Sequence, residues 1–394
     1  MRKAVAAIAA TETAAVLEHY GIEVLRGHAA FASPRQVTVD GRALRARGFV
    51  LATGSRPAIP PVPGLAGVPY LTNENIFDLT ELPARLAILG GGAVGCELAQ
   101  ALRRLGSQVT VMEAAPRLLP AADPAASKVI GQVFAAEDIT VCTGTGAEEI
   151  MPDDRGVRLR RGGASQVAAS HLLIAAGRTP VTDGLGLDSA GVRVNERGAV
   201  VTDRHLGTTA PGIYAAGDVT GLMPFTHAAY AMGRIAARNA LRRHWAPPGS
   251  FSTRGIPWVV FTDPEIAQVG MTEEQAAARI SGARVAYLPM REVDRAVTAE
   301  RTEGFIKIIA GPRRVTGRFG GGRVLGATVV ASRAGEMIAE LALAMRTGMF
   351  TGRLAQTTHA YPTWSLGIQQ AAAQFFSGYA GRTARPAGVG EQQP

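Results

Sequence analysis

Residues 86–113 read LAILGGGAVGCELAQALRRLGSQVTVME, and the rest of the chain is organised around this stretch. Four apolar residues at 86–89 form a short strand, after which Gly90, Gly92 and Gly95 stand in G-x-G-x-x-G spacing. The three glycines do different things: one makes a tight turn, one lets the backbone approach a pyrophosphate, and one allows close helix–strand contact. Val94, Leu98, Ala101, Leu102 and Leu105 then recur at helical spacing, and Gly106 supplies the stop. The start of that helix points unpaired N–H groups and a partial positive charge at phosphates. A second strand at 109–112 ends on Glu113, whose carboxylate can accept from both ribose hydroxyls and repels a 2′-phosphate. The run predicts a βαβ unit that holds NAD in preference to NADP, although Arg117 nearby pulls the other way. A glycine triplet alone is often only a turn; strand, triplet, helix, strand and acid in register make the case.

The chain has 394 residues, enough for two or three domains. Apolar residues are 47% and charged residues 19%, an ordinary globular balance. The formal net charge of +9 raises nucleic acid as a partner, but it is spread as single arginines through alanine-rich helices with no aromatic platform. We therefore expect no nucleic-acid partner. The two cysteines, Cys96 and Cys142, form no CxxC or wider redox pair, which points to a reducing compartment without disulfides. The opening MRKAVAAIAATETAAV mimics a signal peptide, but its apolar run is short and Glu12 follows at once. No run approaches the roughly 18 apolar residues of a membrane span, so a cytoplasmic protein with no membrane partner is expected.

Residues 1–20 read as a helix, and short strands follow at 22–31, 36–40 and 49–54. The proline-dense RPAIPPVPG at 56–64 can be neither helix nor central strand and is read as a connector. Helices are expected at 125–136, 225–245, 272–278 and 334–345, and strands at 258–261, 305–310 and 324–330. From 86 to about 177 the pattern of strands and helices reads as one βαβ-based domain. An α+β unit at 250–380 and a disordered tail at 381–394 complete the division.

The second nucleotide signal is GIYAAGDVTG at 212–221. Small residues at 215–217 let a backbone approach a ligand, and the Asp218 carboxylate can take two hydroxyl donors. With LATGSRPAIPPVPG (51–64), GGGAVGCELA (90–99), AAGRTP (175–180), FTDPEIAQVG (261–270) and HAYPTWS (359–365), the order and spacing become specific. The chain resembles the class I pyridine nucleotide-disulfide oxidoreductases, mercuric reductase and dihydrolipoamide dehydrogenase among them. That resemblance implies an α/β, two-dinucleotide-binding-domain (FAD/NAD(P)-binding, Rossmann-like) flavoprotein fold plus a C-terminal α+β dimerisation domain, with a partial FAD-binding domain at 1–70 and 193–249, an NAD(P)-binding domain at 71–192 and the dimerisation domain at 250–380. It implies that Asp218 and Gly217 hold FAD, and that Thr53 and Gly54 lie beside the flavin. It also implies that the helix starting near Thr226 and His227 faces the flavin, that Glu97 lies near the nicotinamide, and that Gly177 and Arg178 belong to the cofactor-binding set. A homodimer through 251–380 is expected, with the apolar face of MIAELALAM at 337–345 as its sequence cue.

Two departures from the family pattern stand out. Family members begin with a further strand–GxGxxG–helix and a CxxxxC pair, both of which would lie upstream of Met1, so the chain reads as N-terminally truncated. Cys96, with no partner cysteine nearby, reads as a small buried hydrophobe. The family's HxHPTxSE segment supplies a His–Glu dyad, whereas this chain has Tyr361 at the base position and Leu366 at the glutamate position. A tyrosine near pKa 10 is a poorer proton shuttle at neutral pH than a histidine near 6.5. His359 and Tyr361 are nevertheless the candidate catalytic residues, and no metal ligand set is expected. The function implied is an FAD-dependent oxidoreductase that passes hydride from NADH through flavin to a small-molecule acceptor. A dithiol fits poorly, which leaves a quinone, a metal ion or a second nicotinamide. The alternative is a non-catalytic NAD(H)-binding dimer module.

Overall fold

The structure, a computed structural model, describes residues 2–162, 165–243, 245–313 and 317–389. His244, within the helix expected at 225–245, and residues 390–394 of the expected tail lie outside the described residues. The chain forms two compact units, Met1–Ser55 with Thr179–Phe251, and Arg56–Arg178 with Ser252–Pro394. The proline-dense connector belongs to the second unit because its neighbourhood bonds there. Ala58 N–H donates to Gly177 O, Ile150 N–H to Pro63 O and Leu71 N–H to Leu172 O.

In the first unit, strand Phe49–Leu51 pairs in parallel with strand Ile213–Ala215, and Ala216 N–H extends the ladder to Leu51 O. Helix Thr226–Leu241 packs on this pair. A meander of Ala29–Ser33, Gln36–Val39 and Arg42–Arg45 lies to one side, and Phe31, Leu51, Ile213, Ala215 and Val219 share the core. The helix expected at 1–20 is broken into Arg2–Ala9 and Ala14–His19, with Thr13 capping the second piece. Residues 22–28 are not strand; pairing begins only at Ala29.

The second unit contains a parallel sheet in the order His171–Ile174, Arg85–Leu89, Gln108–Glu113, Thr140–Thr143. Leu86, Ala87 and Ile88 are buried, as a strand covered on both faces requires. Helix Ala93–Leu105 crosses between the first two strands of the βαβ unit, and Gly106 closes it in the left-handed conformation at φ 117°. Its buried face is shifted from the one expected: Gly95, Cys96, Ala99 and Gln100 face inward, Leu98 and Leu102 pack half-buried at the margin, and Val94 and Leu105 are 36% and 70% exposed. Only small side chains let the helix axis come this close to the strand, so bulk is excluded from the contact line. Helix Pro124–Ala136 starts with proline in its first turn and Asp123 as N-cap.

The C-terminal part of this unit is a six-stranded antiparallel sheet in which Glu265–Gly270, Arg323–Ala331, Phe305–Gly311 and Arg284–Pro289 are central. Helix Ala334–Arg346 buries Met337, Ile338, Leu341 and Ala344 against its own sheet. The apolar face taken as a dimer cue is therefore consumed inside the subunit. The tail also departs from expectation up to residue 389. Arg385–Pro386 forms an edge strand on Arg284–Pro289, and the Arg385 guanidinium binds the Glu273 carboxylate. A charged partner at a buried position supplied the ordering that composition alone did not reveal.

Candidate functional site

In the parallel sheet, the chain leaves strand Arg85–Leu89 toward one side and returns as His171–Ile174 on the other. Ligands of open α/β sheets bind at the C-terminal ends of strands where the order reverses in this way. Gly90, at φ 109°, makes the turn there, and a Cβ on it would lie 2.2 Å from Ala175 O. A Cβ on Gly95 would lie 1.9 Å from Gly90 O, so this glycine seats the helix on the turn. Gly92 is different, since a Cβ there would meet nothing within 4 Å. It borders open space at the start of helix Ala93–Leu105, which has no side-chain cap. The first ladder bond is Cys96 N–H to Gly92 O, so the donors of the preceding turn remain for a ligand. Gly177 and Arg178 follow Ala175 and Ala176 at this edge, and Arg178 is exposed.

Glu113 ends the second strand, as the sequence pattern requires. Its Oε2 accepts from Gly91 N–H at 2.6 Å and its Oε1 from Ala115 N–H at 2.7 Å. Each oxygen keeps a further lone pair for a ribose hydroxyl. Sequence reasoning passed over Gly91, which fills an x position of the motif. A Cβ on it would stand 2.6 Å from Leu118 Cδ2 and 3.3 Å from Glu113 Oε2. The residues thus fit a dinucleotide: an open glycine at a free helix start, with a fixed carboxylate one strand away.

Glu97 lies on the same helix, but its Oε1 accepts from Phe261 N–H at 2.8 Å. Burial pushes its carboxyl pKa up, partly offset by that bond. One turn on, the Gln100 amide brackets Asp263, accepting from its N–H at 2.7 Å and donating to its O at 2.8 Å. Arg104 reaches the Asp263 carboxylate at 2.8 Å. Cys96 is buried and its thiol donates to Gly91 O. Burial first, then Glu113 and Glu97, push the thiol's pKa far up, which makes it a poor nucleophile.

In the first unit, Gly217 follows strand Ile213–Ala215 at φ 78°, and a Cβ on it would approach Ala229 Cβ to 3.2 Å. Asp218 opens the 3-10 turn Gly217–Thr220, and its Oδ2 accepts from Ser55 Oγ at 2.6 Å. Thr53 Oγ1 donates to Val181 O at 2.6 Å, and Gly54 O accepts from Val181 N–H. Helix Thr226–Leu241 starts without a side-chain cap, and Thr226 and His227 are exposed there. Strand pairing therefore brings Thr53, Gly54, Gly217 and Asp218 to one edge of this unit, with the helix packed on the same turn. A slim backbone, a half-buried carboxylate and an uncapped helix start fit a polyhydroxylated anionic cofactor. Sequence reasoning did not single out Ser55.

The two candidate catalytic residues lie in the C-terminal part. His359 Nδ1 faces Thr357 O at 3.0 Å and its Nε2 faces Glu340 Oε2 at 3.0 Å, so both ring nitrogens are engaged. Tyr361 Oη donates to Asp294 Oδ2 at 2.9 Å. That bond, the Asp294 charge and slight desolvation raise its pKa. Neither Glu340 nor Asp294 belongs to the motif that drew attention to the loop. Among the described residues no cluster of three or more His, Cys, Asp or Glu is placed to hold a metal. No described helix is long and apolar enough to cross a membrane.

A family model described as pyridine nucleotide-disulphide oxidoreductase matches residues 3–233, and the dimerisation domain of the same family matches 256–372. A mercuric reductase of Bacillus cereus is 36% identical over 363 residues, covering 91% of this chain and 56% of that relative. The chain thus spans less than two thirds of that relative's length. A dihydrolipoyl dehydrogenase of Thermus scotoductus is 37% identical over 371 residues, covering 91% of this chain and 76% of the relative. The crystal structure of LpdA from Mycobacterium tuberculosis superposes with a TM-score of 0.85 at 33% identity, covering 95% of this chain and 82% of that one.

Proposed function

This chain belongs to the pyridine nucleotide-disulphide oxidoreductases, and from that premise we propose that it is an FAD-dependent NAD(P)H oxidoreductase serving a small-molecule acceptor. The family uses FAD and NAD(P)H, and its dimerisation domain is present here. The observation that carries the proposal is the Glu113 carboxylate locked by Gly91 and Ala115 at the end of the βαβ unit. Fixed in this way, it favours the free ribose of NAD over a 2′-phosphate.

Bound FAD would relay two electrons from NADH to the acceptor. The protein's part is placement. Ala93, Val94 and Gly95 offer N–H groups to the pyrophosphate, and Asp218 takes hydroxyl donors of the second cofactor while Ser55 holds it in place. In this proposal Thr53, Gly54, Gly217, Thr226 and His227 border that second cofactor. Gly177 and Arg178 border the nicotinamide dinucleotide. Glu97 acts through the 261–263 loop as well as toward the nicotinamide. His359 positions its loop against Glu340, and Tyr361 presents a hydroxyl whose proton Asp294 retains, which fits acceptors other than a dithiol.

The test is the colour and chemistry of the purified chain. Flavin absorbance near about 450 nm that bleaches when NADH is added without oxygen supports the proposal. Asp218→Ala should remove the colour while NADH binding survives. A colourless wild-type protein that still binds NADH would overturn the enzyme and leave a nucleotide-binding dimer module.

A further inference from the structure

The C-terminal part of the second unit contains an open pocket of about 450 Å³ whose lining includes Asp263, Glu265, Arg295, Arg301, Arg333 and Trp364. Its two carboxylates are already engaged. Asp263 Oδ2 accepts from Arg104 at 2.8 Å and from Arg301 at 3.4 Å, and Glu265 Oε2 accepts from Gly335 N–H at 2.8 Å. Its donors are in surplus. Among the described residues, the Arg295 and Arg333 guanidiniums and the Trp364 indole N–H have no hydrogen-bond or ion-pair partner. Arg333 also stands at the N-cap position of the 13-residue helix Ala334–Arg346, whose first turn Glu265 already serves through Gly335 N–H. Three guanidiniums against two occupied carboxylates leave a concave surface with net positive charge, and concavity focuses such a field on a ligand. The guanidinium fork matches planar or tetrahedral oxyanions bidentately, and a flat indole suits the carbon frame of a small ligand.

We propose that this pocket binds a small oxyanion of two or more charges, carrying carboxylate or phosphate groups. Arg295 and Arg333 grip it, Arg301 is shared with Asp263, and Trp364 forms one wall. The pocket meets the nucleotide helix only through the 262–263 loop, where Gln100 and Arg104 hold Asp263, and its binding is read without any redox turnover.

The test is titration calorimetry on the full chain at low salt, with tricarballylate and inorganic phosphate as separate probes. Saturable one-site binding of either probe supports the proposal, and the probe that saturates identifies the oxyanion. Combining Arg295→Gln with Arg333→Gln should weaken binding by about tenfold or more, a loss of about 1.4 kcal/mol. Arg333→Lys, which keeps the charge but loses the fork, should give a smaller loss. Arg197→Gln, on an exposed turn of the other unit, should change nothing. The proposal falls if neither probe saturates, if the double variant binds as tightly as wild type, or if Arg197→Gln weakens binding by the same factor.

Discussion

Replacing Lys307 by methionine would test whether one buried ammonium holds the second unit together. Lys307 lies in the central strand Phe305–Gly311 with its side chain 5% exposed. Its Nζ lies 3.0 and 3.2 Å from the two oxygens of Asp123 and 3.1 Å from Glu273 Oε2. Asp123 caps helix Pro124–Ala136 of the nucleotide fold, and Glu273 opens helix Glu273–Arg279 and binds Arg385 of the tail. Methionine keeps the apolar stem and deletes the charge, so two buried carboxylates lose their common cation. Removing one partner of a buried ion pair costs about 3–5 kcal/mol, and because Arg385 still serves Glu273 we expect about 3 kcal/mol. Urea unfolding followed by tryptophan fluorescence reads this directly, since Trp258 and Trp364 both lie in the second unit. In a double-mutant cycle with Asp123→Asn, the combined cost should fall short of the sum by about 1 kcal/mol or more. Acid should shrink the effect. Burial opposes ionisation of Glu273, yet Arg385 and Lys307 hold its carboxyl below the usual glutamate range. A depressed folded-state pKa gives stability that is present above the unfolded value of about 4.3 and lost as pH falls through the folded value. Lys307 supplies part of that depression, so the gap between Lys307→Met and wild type should narrow as pH falls through this range. A Lys307→Met protein within about 0.5 kcal/mol of wild type, or strict additivity with Asp123→Asn, would refute the reasoning.

Gly95→Ala places a methyl 1.9 Å from Gly90 O, so NADH affinity measured by fluorescence should fall by about tenfold or more. Gly131→Ala, in open space on helix Pro124–Ala136, should leave affinity unchanged and raise stability by up to about 1 kcal/mol. A thiol reagent at pH 8 should label Cys142 and spare Cys96 until the protein unfolds; native labelling of Cys96 would contradict its buried, disfavoured thiolate. Asp294→Asn removes the charge that retains the Tyr361 proton, so absorbance titration should show this tyrosine ionising at lower pH than in wild type. An unchanged titration would mean that the bond does not persist in solution.

The nucleotide turn was legible in the sequence because backbone geometry dictates residue type there. Gly90 needs a positive φ, Gly95 must touch a carbonyl, and a strand covered on both faces must be apolar throughout. Side-chain destinations were not legible. Helix Ala93–Leu105 carries apolar residues on a face that is partly open, while Gly95, Cys96 and Ala99 do the packing, because the closeness of contact rather than hydrophobicity selects them. The apolar run at 337–345 could not reveal whether it faces a partner or its own sheet. Lys307, Asp123, Glu273 and Arg385 each look like surface residues in sequence, and only the long-range fold brings them together. The Tyr361–Asp294 and His359–Glu340 pairs escaped notice for the same reason, since both partners come from outside the motif.

The two sides of helix Ala93–Leu105 join the nucleotide turn to the C-terminal sheet. One side presses glycine and alanine onto the strands, which sets the opening where a pyrophosphate can meet the helix start. The other side presents Glu97, Gln100 and Arg104 at successive turns to Phe261 and Asp263. Asp263 leads into strand Glu265–Gly270 of the antiparallel sheet, so the orientation of the helix is fixed from both sides. A helix held only by its apolar contacts could rock about the glycine line, because small side chains offer little leverage against rotation. Three polar contacts along the stripe beside it, with buried Gln100 on their shared border, remove that freedom. Under the proposed function, the C-terminal part of the second unit would therefore serve nucleotide binding by keeping the phosphate-facing end of the helix in place before a nucleotide arrives.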